Sequence, residues 1–138
     1  MPQHDLHHDA VRRALEADGW TVTHDPYTLA IGNQNVFVDL GAERMLAATR
    51  GSERIAVEVK SFLGRSSVAD LEQALGQYLL YRVLLARQEP ERTLFLAAPL
   101  SAYEGVLSSA LGNVVVEEYD VHLLVVDVDN VRIERWRK

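Results

Sequence analysis

The chain has 138 residues, 48% of them hydrophobic, no cysteine and a formal net charge of −6. Such a length suits a single domain, 1-138, with one core; the lack of cysteine excludes disulfides and thiolate metal sites and gives secretion no support. The first residues, Met1-Pro2-Gln3-His4-Asp5, are not a signal peptide and no apolar run is long enough to span a membrane, so the expected compartment is the cytoplasm.

In chain order, Leu6, Ala10, Val11, Ala14 and Leu15 recur at helical spacing, which predicts a helix from Asp5 to Asp18 that stops at Gly19. Trp20 to Thr23 alternates as a strand does, and Asp25-Pro26 marks a turn. Gly32-Asn33-Gln34 leads into an apolar strand, Asn35-Val36-Phe37-Val38-Asp39. Gly41 to Arg50 fits a helical turn or a short strand. Arg54 to Ser61 reads as strand. Val68, Leu71, Leu75, Leu79, Val83 and Leu84 keep a 3.6-residue period and predict a helix to about Arg87. Ser67-Val68-Ala69-Asp70 before it has the form of a capping box. Thr93 to Ala98 is a buried strand, Pro99-Leu100-Ser101 opens a helix to about Ser109, Val121 to Val128 is a strand, and Val131 to Trp136 a last strand. The order αβββαβαββ is an α/β fold, a mixed β-sheet flanked by helices, without internal repeat or linker.

Two apolar strands carry acids. Glu58 and Lys60 interrupt Ile55-Ala56-Val57-Glu58-Val59-Lys60 two residues apart, so both side chains point to one face. Asp39 ends the earlier run. Charges in buried sheet are costly unless paired or bound to a cation. Two carboxylates on adjacent strands would make a hard oxygen site for Mg²⁺ or Mn²⁺, and a lysine beside them could polarise a bound water or neutralise a scissile phosphate. The plainer alternative is a surface ion pair on an edge strand, with Asp39 a turn residue. Gln77 and Tyr81 lie one helical turn apart on one face; separately they read as helix surface and core aromatic. His24-Asp25 and Glu43 are weaker candidates, better read as turn and loop residues.

The charge argues against an extended nucleic-acid groove. Arg12, Arg13, Lys60, Arg65, Arg82 and Arg87 are dispersed, and the only basic cluster, Arg132 to Lys138, is interrupted by Glu134. DNA binding by the chain alone is therefore expected to be weak, whereas homo-oligomer formation stays open.

Asp39, Glu58-x-Lys60 and the helix bearing Gln77-x-x-x-Tyr81 together resemble the PD-(D/E)XK nuclease superfamily, although Val38 stands where that name has proline. The resemblance implies a restriction-endonuclease-like fold. It also implies catalytic roles for Asp39, Glu58 and Lys60, metal binding by Asp39 and Glu58, and substrate support by Gln77 and Tyr81. Some members add a ligand from the first helix, for which His8 is the candidate ahead of Asp9 and Glu16. Longer strings, among them His8 to Val11, Asp18 to Pro26, Val38 to Glu43, Ile55 to Phe62 and Asp70 to Tyr78, resemble the XisH family of fdxN element excision controlling factors. That resemblance implies a role in DNA rearrangement and a small XisI-like partner. Three functions follow as expectations: a metal-dependent DNA endonuclease or resolvase-like hydrolase, a non-catalytic nuclease-fold accessory subunit, or a nuclease toxin inhibited by its partner.

Overall fold

The computed structural model describes residues 5–31, 34–36 and 45–138. Its elements are α1 (Asp5–Ala17), β1 (Thr21–His24), β2 (Leu29–Ile31), β3 (Gln34–Val36), β4 (Met45–Arg50), β5 (Glu53–Val59) and α2 (Ser67–Gln88). They continue with β6 (Thr93–Pro99), α3 (Leu100–Glu104), a 3-10 turn (Val106–Ser108), α4 (Ala110–Glu118), β7 (Leu123–Asp127) and β8 (Arg132–Arg137). Six strands form a mixed sheet in the order β1-β4-β5-β6-β7-β8, and β2 and β3 form a separate hairpin. β5, β6 and β7 run parallel, whereas β1, β4 and β8 pair antiparallel with their neighbours. The parallel links need long crossovers, which α2 and then α3 with α4 supply.

Strand alternation divides the core into two layers. Ile55, Val57 and Val59 pack with Phe95, Leu124 and Val126, and with Val11, Ala14 and Leu15 of α1. Ala56 points the other way, with Leu94, Leu96 and Val125, toward Leu71, Ala74, Tyr78 and Leu85 of α2 and Val116 of α4. Helices thus cover both faces, which is why β5 and β6 read as nearly continuous apolar runs. Tyr78 ties the α2 layer together: its hydroxyl donates to Leu94 O at 3.2 Å and accepts from His122 N at 3.0 Å. Burial pushes its pKa above the ordinary tyrosine value.

Several sequence expectations change. Of the ambiguous stretch before Gly51, the described residues Met45–Arg50 are strand β4, because the alternating Leu46 and Ala47 fill opposite layers. The helix expected to open at Pro99-Leu100-Ser101 and run to about Ser109 starts there but breaks at Gly105, and a further helix, α4, begins after Ser109. Ser109 caps α4, its Oγ accepting from Gly112 N at 3.1 Å. A Cβ on Gly112 would stand 2.1 Å from Val106 O, so only glycine permits the close 3-10-to-helix turn. The cap of α2 is Ser66 rather than Ser67, and Asp70 accepts from Gly64 N at 2.9 Å instead of closing a capping box. Gln34–Val36, the described part of the run toward Asp39, pairs with β2 and not with the acid-bearing strand.

The hairpin docks on the end of α2, where Gln88 receives Ala30 N at 2.8 Å and donates to Thr28 O at 3.0 Å. Next to it, Arg92 grips Glu89 through Nε and Nη2, both at 2.9 Å, while Nη1 donates to Ile55 O. These bonds from Arg92, then one from Tyr27, hold the Glu89 carboxyl down at about 2. A depressed carboxylate pKa contributes stability that is complete above the unfolded value and disappears as pH falls through the folded one. Glu89→Gln should therefore lower the urea midpoint near neutral pH, and the gap to wild type should close as pH approaches about 2. A gap that persists unchanged into acid would place that stabilisation elsewhere.

Candidate functional site

β5 is an interior strand between β4 and β6, and Glu58 on it is 0% exposed. The reading of Glu58 and Lys60 as a surface pair on an edge strand is thereby overturned. Both share the face of Ala56, which looks toward α2. Lys60 stands just past the strand, 8% exposed, its N–H continuing the parallel ladder to Ala97 O at 3.0 Å. Its Nζ donates to Gln73 Oε1 at 2.5 Å. The apolar stem is thus covered while the ammonium stays at the sheet end against α2.

Gln73, Gln77 and Tyr81 follow one another at single-turn intervals on α2. Gln77 and Tyr81 are buried at 9% and 2% exposure, so Gln77 is not helix surface. The Gln77 Oε1 is fully enclosed and has no hydrogen-bond partner among the described residues. Such an acceptor costs about 1–3 kcal/mol when buried. Gln73 is the contact that sequence reasoning missed; it stands one turn before Gln77, and no local pattern distinguishes it from the other polar residues of α2.

Asp39 and Glu43 lie outside the described residues. The chain enters β4 at Met45, six positions after Asp39, and Met45 sits directly opposite Glu58. His8 is on α1, which packs on the other face of the sheet. It is 1% exposed and its Nε2 lies 2.8 Å from Asp25 Oδ1, while Arg12 donates to Asp25 Oδ2 at 2.8 Å. Asp25, read from sequence as a turn residue, thus anchors α1 to the loop after β1. Among the described residues no three histidines or acids cluster closely enough to hold a metal ion.

The backbone after Lys60 is unusual. Phe62 has φ +58°, a left-handed conformation that a bulky residue rarely adopts, and it packs against the α2-side core. Strain of this kind persists where surrounding structure enforces it, and it is enriched at binding and catalytic segments. Here it turns the chain sharply from β5 to the Ser66 cap of α2, holding Lys60 over Gln73.

The fold and site define an α/β protein with a buried glutamate and a lysine at the end of an interior strand, faced by a glutamine–tyrosine helix. The family model described as XisH protein matches residues 1–134, and the chain belongs to the XisH family. An XisH family protein from Nostoc punctiforme PCC 73102 is similar at 39% identity with a TM-score of 0.89, covering 97% of this chain and 100% of that one. A fdxN element excision controlling factor protein from Anabaena variabilis is similar at 38% identity and TM-score 0.89, covering 97% and 99%. No curated protein matches the chain. Among the described residues, no helix is long and apolar enough to cross a membrane.

Proposed function

We propose that the chain is a PD-(D/E)XK nuclease-like protein acting in DNA element excision, a divalent-metal-dependent DNA endonuclease or resolvase-like hydrolase. The observation that carries this reading is the fully enclosed Glu58 on an interior strand, with Lys60 two residues on and the Gln77–Tyr81 helix over the same face. A carboxylate is costly there unless it is paired or bound to a cation, and a cation site is the use proposed for it. Asp39 and Glu58 would hold Mg²⁺ or Mn²⁺, with the Val59 carbonyl a third oxygen donor; this all-oxygen set suits hard cations. When bound, such a cation lowers the pKa of water and stabilises charge on a phosphate. The chain's own part is positional. Lys60, oriented by Gln73, directs its ammonium to the attacking water or the scissile phosphate. Gln77 and Tyr81 brace the sheet end and support the substrate. The reading does not require His8.

The net charge of −6 favours a second reading, an accessory subunit or a restrained nuclease that works in complex with a XisI-like protein. Few dispersed cations make few phosphate contacts, so the isolated chain should bind DNA weakly and with a shallow dependence on salt. Cleavage of linear, supercoiled and branched DNA with Mg²⁺ or Mn²⁺, with and without that partner, tests both. Metal-dependent cleavage that stops on chelation and in Lys60→Ala supports the enzyme. Metal binding without cleavage under any condition supports the accessory. Tight DNA binding by the isolated chain, falling steeply with salt, would count against the accessory reading.

A further inference from the structure

The side of α2 turned away from the sheet is apolar where it meets solvent. Leu80 and Val83 are 52% and 57% exposed, with Leu79 partly exposed beside them. Exposed Glu72 and Arg87 close the stripe at either end, and neither has an ion pair or hydrogen bond to a described residue. Within the stripe lies Gly76. A glycine inside a helix is destabilising relative to alanine, yet among the described residues no atom beyond the neighbouring helix backbone lies within 4 Å of where its Cβ would be. Packing among the described residues therefore does not account for it.

The stripe is self-complementary. Glu72 and Arg87 are equally distant from the midpoint between Leu79 and Leu80, and so are Gly76 and Val83. A two-fold axis through that midpoint sets two copies of α2 antiparallel. Glu72 then meets Arg87 of the second copy, Gly76 meets Val83, and the leucines meet each other. The charges stand about 11 Å on either side of the axis, from the helical rise. Gly76 lets the second backbone approach with Val83 in the space a side chain would fill. We propose that two copies of this chain form a two-fold symmetric dimer through α2, an isologous contact with two reciprocal charge pairs. Gln77 and Tyr81 face the sheet on the opposite side of α2, so each copy keeps its candidate site.

Sedimentation equilibrium over a range of concentrations tests this. Wild type should weigh twice 15.5 kDa. Glu72→Arg and Arg87→Glu each oppose like charges at both symmetric contacts, and should raise the dimer Kd about tenfold or more. The double exchange should recover the wild-type Kd to within about threefold, since the pair is restored with its sign reversed. Circular dichroism should show all variants folded, because both positions are exposed. Three results would overturn the proposal: a monomer at every concentration, a stripe covered only when a different protein is added, or a double exchange no better than the single ones.

Discussion

Glu58→Gln should reduce metal-dependent DNA cleavage by about a hundredfold or more, the scale seen when a group acting on developing charge or a metal is removed. The substitution keeps the shape of a side chain that is 0% exposed and removes only its charge. The variant should therefore stay folded. In the presence of chelator the proposed pairing with Asp39 predicts a melt no lower than wild type, because one of two like charges would be relieved. Lys60→Ala should show a comparable loss of cleavage with its metal affinity retained, since the role proposed for Lys60 is toward water or phosphate rather than the cation. Activity assays with chelator controls, beside thermal melts, separate these effects. Full activity in Glu58→Gln, with chelator-resistant cleavage, would show that the chemistry lies elsewhere.

A second large effect concerns the layer under α1. Phe95 is 1% exposed on the interior strand β6, its ring edge-on to Trp136 at 4.9 Å and 5.6 Å from His122. It also packs with Val57 and Leu124. Phe95→Ala should cost about 3–5 kcal/mol, from lost burial and a residual cavity. That is a large share of the roughly 5–15 kcal/mol that holds a domain together. The urea midpoint should fall sharply with little change in slope. A loss below about 1 kcal/mol would mean that the Phe95 layer repacks freely, contrary to the dense two-sided core.

How much of this the sequence revealed varied with the kind of signal. β5, β6 and α2 were plain because two-sided burial makes strands apolar throughout and a long helix repeats its apolar positions many times. The burial of Glu58 was implied by its neighbours, and its interior position excludes the surface-pair alternative. The helix α4 was hidden because Val114, Val115 and Val116 favour strand and Gly112 favours turn; Ser109 capping and the tight approach to Val106 override those local preferences. β2 escaped notice because it is three residues long and held by Gln88, far along the chain. The Lys60–Gln73 contact depends on how a strand end meets a helix, which no local pattern encodes. Asp39, legible as an acid ending an apolar run, lies outside the described residues, so the pairing of the two acids rests on sequence and chemistry.

Direct titration of Mn²⁺ against the isolated chain, followed by calorimetry and by the electron paramagnetic resonance of free ion, tests the acid pair without requiring any nuclease assay. Saturable binding by wild type that is lost in Asp39→Asn and in Glu58→Gln, but kept in Lys60→Ala, is the predicted result. No saturable binding, or binding unchanged in both acid variants, would contradict a metal site built on Asp39 and Glu58.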